Sequence, residues 1–147
     1  LDRLTMRMMG LDFGAKTVGV AITDASGTLA QRKEIIRRQR ENALRKTYAR
    51  IQELIQEYEI SCIVLGLPLH LDGSVSERAN KTLLFQVELE RRTGLQVIMQ
   101  DERLTSVEAE DLMREAGIPK SDWKAQIDMI AAELILQDYL NHRDRYQ

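Results

Sequence analysis

The run from Ser61 to Leu67 constrains this chain more than any other feature, because it is continuous, apolar and too short to be a helix. A strand sends alternate side chains to opposite faces, so such a run is stable only where both faces are covered. That places a sheet between layers of helices. The neighbouring sequence supplies the layers. Leu44, Tyr48, Ile51, Leu54, Ile55 and Tyr58 recur at helical spacing and predict an amphipathic helix from Glu41 to Glu59. Ser74 with Glu77 reads as a capping box opening a second helix that stops near Gly94. Gln96 to Gln100 follows as a strand. Thr105 with Glu108 reads as another capping box, for a helix ended by Gly117 and barred from continuing by Pro119. A last helix is predicted from Lys124 to His142.

Ahead of these elements, Met6 to Asp12 and Val18 to Thr23 read as short strands, and Thr28 to Ile36 as a third after the turn Asp24-Ala25-Ser26-Gly27. Their short connections require an antiparallel meander. The predicted fold is therefore α/β, a five-stranded mixed sheet with a three-strand antiparallel meander and two parallel strands, flanked by helices. Right-handed crossovers lay the fourth strand beside the first and the fifth beside the fourth. A chain of 147 residues supports one core, so a single domain is expected over residues 6–143. Leu1 and the cluster Met6, Met8, Met9 make residues 1–5 read as a vector-derived or misassigned leader, and residues 144–147 as a tail.

A net charge of −2 excludes a protein that coats nucleic acid through bulk charge, so any such contact must be local. The stretch from Gln31 to Arg50 is the one candidate: Arg32, Lys33, Arg37, Arg38, Arg40, Arg45, Lys46 and Arg50 face only Glu34 and Glu41. A solvated helix face would carry the same composition. No apolar run approaches the roughly 18 residues of a membrane span, which leads us to expect a soluble, cytoplasmic protein with no membrane partner. Cys62, the sole cysteine, has no partner for an internal disulfide and is expected in the core.

In the predicted sheet the carboxyl ends of strands one, four and five share an edge, the usual place for a site in an open α/β sheet. Three segments meet there: Gly10 to Gly14, Gly66 to Leu69, and Gln100 to Arg103. Asp12 ends the first strand, with Gly14 two residues on to let the backbone turn and a phosphate approach. Glu102 follows the fifth strand. Asp128 lies on the last helix, where Ala131 and Ala132, three and four positions on, share its face. Each acid alone has a plainer role open to it: a turn cap for Asp12, a solvated cluster for Glu102, a helix-dipole partner or a pair with Lys124 for Asp128. Together they would repel and raise one another's pKa unless a divalent cation joined them. Carboxylate oxygens suit Mg²⁺ or Mn²⁺, and the scattering of His70, His142 and Cys62 argues against zinc. Gly10 to Thr17 approaches a Walker A loop, but Ala15 stands where a glycine is needed before the lysine.

These segments resemble the YqgF/RuvX family of Holliday junction resolvase-like nucleases and pre-16S rRNA processing factors. The resemblance runs through Gly10 to Ala21, Val64 to Pro68 with Asp72-Gly73-Ser74, Asp101 to Thr105, Ile127 to Ala132 and Ile135-Leu136-Gln137. It implies a ribonuclease H-like fold and puts Asp12, Glu102 and Asp128 at an acidic triad that holds Mg²⁺ or Mn²⁺, two ions in the expected mechanism. Lys16 and Arg103 flank the acids as expected phosphate contacts, with Thr105 a further contact or only a helix cap. The implied activity is a metal-dependent endonuclease acting on the 5′ end of pre-16S rRNA. Resolution of branched DNA and a non-catalytic binding module remain open beside it, as do a monomer and a homodimer. The chain departs from junction resolvases that carry an acid at the end of the fourth strand, since Gly66-Leu67-Pro68 stands there. Glu102 must substitute, and Asp101 is the alternative.

Overall fold

A computed structural model describes residues 7–70, 72–102 and 105–143; the side chains of residues 103–107, Lys124 and Ala125 are outside the description. The leader and tail expected at 1–5 and 144–147 lie outside the described residues. The elements are β1 (Met8–Phe13), β2 (Thr17–Thr23), β3 (Ala30–Arg37), α1 (Arg45–Tyr58), β4 (Cys62–Leu67), α2 (Glu77–Thr93), β5 (Val97–Asp101), α3 (Thr105–Glu115) and α4 (Trp123–Arg143), with a 3₁₀ turn at Lys120–Asp122. They build one five-stranded sheet in the order β3-β2-β1-β4-β5. β1, β2 and β3 pair antiparallel, while β4 runs parallel to β1 and β5 parallel to β4, as the crossover argument requires.

Strand alternation divides the core in two. Met9, Leu11 and Phe13 of β1, Val18, Val20 and Ile22 of β2, and Ile63 and Leu65 of β4 face α1 and α2, where Tyr48, Ile51, Leu54, Phe85 and Leu89 close over them. Fully burying a side chain of this size contributes about 1.5–3 kcal/mol relative to exposure. On the opposite face Met8, Ala21 and Val64 meet Ala132, Ile135, Leu136 and Leu140 of α4, and α3 packs outside α4 through Ala109, Met113 and Ile130. The exposed side of β3 is covered as well: Gln137 Oε1 accepts from the Ala30 N–H at 2.9 Å and Glu133 Oε1 from the Arg32 N–H at 3.0 Å. Those bonds occupy backbone donors that an edge strand would otherwise leave open.

Several local expectations are corrected. α1 begins at Arg45, not Glu41, because Arg38 Nε donates to the Glu41 carbonyl at 2.9 Å and Ala43 N–H to the Arg40 carbonyl, which holds residues 38–44 in a loop. The cap of α2 is Ser76, whose Oγ accepts from the Ala79 N–H at 2.9 Å; Ser74 instead turns back on Asp72. Cys62 is half-buried, its Sγ beside the Gln96 carbonyl. Among the described residues no helix is long and apolar enough to cross a membrane.

Candidate active site

β1 carries the site because of its register. Met8, Gly10 and Asp12 alternate onto the α4 face, and Asp12 is the cross-strand partner of Gly19 in β2. Both strands need a glycine under the helix. A Cβ on Gly10 would stand 2.6 Å from Leu136 Cβ, and one on Gly19 would stand 2.1 Å from the Asp128 carbonyl oxygen. α4 therefore lies on the β1–β2 hairpin with Asp128 directly above the position paired with Asp12. The Asp128 carboxylate is fixed from below, since Thr17 Oγ1 donates to its Oδ2 at 2.7 Å.

The third acid arrives from β5. Gln100 faces α4, where its Nε2 donates to Asp138 Oδ2 at 2.7 Å, so the alternation sends Asp101 to the other face and returns Glu102 to this one. The Glu102 N–H reaches the Leu67 carbonyl at 3.2 Å and prolongs the ladder by one residue. Its carboxyl then lies over Gly66, where a Cβ would stand 2.9 Å from Glu102 Cδ and 3.0 Å from its Oε1. Glu102 and Asp12 are hydrogen-bonded to each other.

Two carboxyls can bond only if one keeps a proton. Burial raises the Glu102 pKa to about 9, with the charges of Asp12 and Asp101 adding to it. Burial also raises Asp12, to about 7, helped by the negative charge of Asp128 and opposed by the Glu102 hydrogen bond and the Arg78 guanidinium. Asp12 keeps only a narrow opening to solvent, and loss of hydration is the main cause of the shift in both acids. Among the described residues no three acids, histidines or cysteines already enclose a common point as a metal cage. Glu102 is turned onto Asp12, and Asp128 onto Thr17. The donor set nevertheless fits a hard divalent cation, because Asp12, Glu102 and Asp128 offer carboxylate oxygens, and burial raises the cost of ionising Asp12 and Glu102 side by side unless a cation offsets their charge.

The loop after β1 is clamped from outside. Arg38 Nη2 donates to the Gly14 and Ala15 carbonyls at 2.7 and 2.8 Å, and Arg78 Nη2 donates to Gly14 at 3.3 Å. Both guanidiniums lie against the Phe13 ring, 5.0 and 4.6 Å from its centre. The aromatic face offsets positive charge where Arg38 Nη1 and Arg78 Nε find no oxygen partner. Gly14 is needed for space rather than for a left-handed φ: a Cβ there would be 3.0 Å from Thr17 Oγ1. Lys16 is exposed at the hairpin tip. Arg103 lies outside the described residues; Thr105 is the first residue of α3, and its side chain is outside the description as well.

Thr17, Arg78, Gly19 and Gly66 escape a reading of the sequence alone. A glycine inside the strand Val18-Gly19-Val20 does signal a close backbone approach, and that clue was available. Nothing in the sequence marks Arg78, because its relation to the acids exists only after α2 has folded back.

The family model described as RuvX, Holliday junction resolvase, matches residues 6–142. A protein of Lachnospira eligens is 46% identical over 140 residues, spanning 95% of this chain and 100% of its own length. One from Agathobacter rectalis is 50% identical over 137 residues, spanning 93% and 96%. Both bear the name "Putative pre-16S rRNA nuclease". Among solved structures, Thermus thermophilus RuvC in complex with a Holliday junction substrate superposes with a TM-score of 0.57 at 12% identity, over 95% of this chain and 96% of that one. The fowlpox virus Holliday junction resolvase gives 0.58 at 15% identity, over 93% and 99%. At such identities these structures speak to the fold, which is the ribonuclease H-like one expected.

Proposed function

Since the chain belongs to the RuvX family, we propose that it is a metal-dependent endonuclease hydrolysing nucleic-acid phosphodiesters, with the 5′ end of pre-16S rRNA as substrate. The observation that carries this reading is the convergence of three acids at one end of the sheet, with Asp128 above Gly19, the cross-strand partner of Asp12, and the Glu102 carboxyl over Gly66. It marks a buried anionic centre at the carboxyl edge of the sheet, where a phosphate can be presented. Asp12, Glu102 and Asp128 would hold Mg²⁺ or Mn²⁺, as one ion or two. Bound there, the metal would neutralise the phosphate, lower the pKa of an attacking water and stabilise the leaving oxygen.

The protein's own part is positioning. Gly19 and Thr17 hold Asp128, Gly66 leaves the seat for Glu102, and the Arg38–Arg78 clamp fixes the loop that follows Asp12. Lys16 and Arg103 are assigned to the substrate phosphates, and Thr105 to a weaker contact beside them. In-line displacement would leave a 5′-phosphate and a 3′-hydroxyl. The RuvX description and the resolvase fold favour a second substrate, the four-way DNA junction.

The test incubates the protein with a pre-16S rRNA fragment and with a four-way DNA junction, each in Mg²⁺, Mn²⁺ or EDTA, beside Asp12→Asn. Cleavage of the RNA that stops in EDTA and in the variant is expected. Cleavage unaffected by either would place the chemistry elsewhere, and binding of the RNA without cleavage in any metal would make the protein a non-catalytic module.

A further inference from the structure

We infer that the exposed cations Arg37, Arg40, Arg45 and Lys46 form the track along which a nucleic-acid backbone leaves the acidic site. The inference rests on the nuclease reading and adds the side of the sheet over which the polymer runs. Of the eight cations between residues 31 and 50, four are engaged within the fold. Arg32 pairs with Glu133, Arg50 with Glu34 and Glu53, Lys33 lies 4.4 Å from the centre of the Tyr58 ring, and Arg38 clamps the Gly14 loop. The other four are exposed and make no side-chain hydrogen bond or ion pair with the described residues. With Gln39 and Asn42 they line a groove of about 620 Å³ in the β3–α1 loop.

Position joins this groove to the acids. Arg37 is the cross-strand partner of Thr17, the residue whose hydroxyl holds Asp128, and the Arg38 N–H donates to the Lys16 carbonyl at 2.9 Å. Two strand spacings of about 4.8 Å separate β3 from β1, and Arg37 lies two residues of about 3.4 Å beyond Ile35, which is in line with Asp12, so the track starts about 12 Å from Asp12. At roughly 3.4 Å of rise per nucleotide along one strand, that is on the order of three nucleotides.

Folding does not explain these charges. Arg45 and Lys46 open α1, where the helix dipole disfavours cations, no acid stands in the first turn and Leu44 gives no side-chain cap. Four unpaired cations in one groove, at a local cost to the helix and in a chain of net charge −2, suit a polyanion. Contacts of this kind read the phosphate backbone without reading sequence.

The test measures binding of the full chain in EDTA, by fluorescence anisotropy over a salt series. The probes are a labelled single-stranded RNA, DNA of the same sequence and the four-way junction. The variant Arg40→Gln/Arg45→Gln/Lys46→Gln is compared with Lys33→Gln/Arg91→Gln/Arg114→Gln, which removes the same charge from residues already paired. Removing three phosphate contacts on a single strand should flatten the slope of log K against log salt by about 2, and the control should keep the wild-type slope. Exchanging the same positions as Arg40→Lys/Arg45→Lys/Lys46→Arg should restore the slope, which separates lost charge from lost fold. Equal RNA and DNA slopes fit a backbone track. Patch and control variants that weaken alike would overturn the track while leaving the nuclease reading intact, whereas a wild-type protein that binds no probe would remove both.

Discussion

Gly19 is the cross-strand partner of Asp12, and the main chain of Asp128 sits so near it that a Cβ on Gly19 would stand 2.1 Å from the Asp128 carbonyl oxygen. Two acids separated by most of the chain are thereby brought together by an absent side chain.

Gly19→Ala is expected to push α4 off the hairpin. The stability cost should be about 1–3 kcal/mol, typical of overpacking against an unyielding neighbour. Cleavage should fall by much more than the unfolded fraction can explain, because Asp128 moves with the helix. Thermal melting and cleavage assays on the same preparation check this, and a variant that melts lower but cleaves normally would show that the approach of α4 is structural only.

Glu102→Gln should lose more than 100-fold in metal-dependent cleavage, since even the outer partners of a metal site cost about 10- to 100-fold. Asp101→Asn should stay within a few-fold of wild type, because alternation sends that side chain to the opposite face. The reverse ranking would identify Asp101 as the second acid.

Thr17→Val keeps the β-branched shape suited to β2 but removes the donor to Asp128 Oδ2. Mn²⁺ affinity should fall by about 10- to 100-fold, with Thr17→Ser restoring much of it. Titration calorimetry with Mn²⁺ reads this directly, and an unchanged affinity in Thr17→Val would count against the assignment.

Without metal, the protein should lose stability as pH rises. Asp12 and Glu102 have folded pKa values of about 7 and 9, above their usual 3.8 and 4.5, so the folded state binds the extra protons. Their contribution is fully present below about pH 4 and is lost as pH climbs through the folded values. Melting in EDTA from pH 5 to 9 should therefore show a falling Tm, and Mg²⁺ or Mn²⁺ should reverse the fall at the alkaline end. A Tm that rises with pH in EDTA would contradict the shared proton.

The order of the strands and the face of α4 were readable because they follow from period and burial. The two-sided run at Ser61 to Leu67, the meander and the small residues Ala131 and Ala132 each have one cheap solution. The caps were harder. Ser74 and Ser76 lie two apart ahead of the same helix, and only the contacts of Ser76 with the Pro68 carbonyl and the Ala79 N–H decide between them. The choice between Glu102 and Asp101 was likewise open in the sequence, because it depends on which residue of β5 faces α4. Arg78 became visible only in space. The patch from Gln31 to Arg50 was legible as composition, but its division into tethered and unattached cations was not.

Gly66 gives the fold a rule of exclusion. The space over the end of β4 admits one carboxyl, and here Glu102 reaches into it from the neighbouring strand. A chain that grew its own acid at position 66 would have to evict the one at 102, so the charge can migrate between adjacent strands only by two changes made together. The acid's place in the sequence can thus change only by such a coupled exchange, while its place in space stays put.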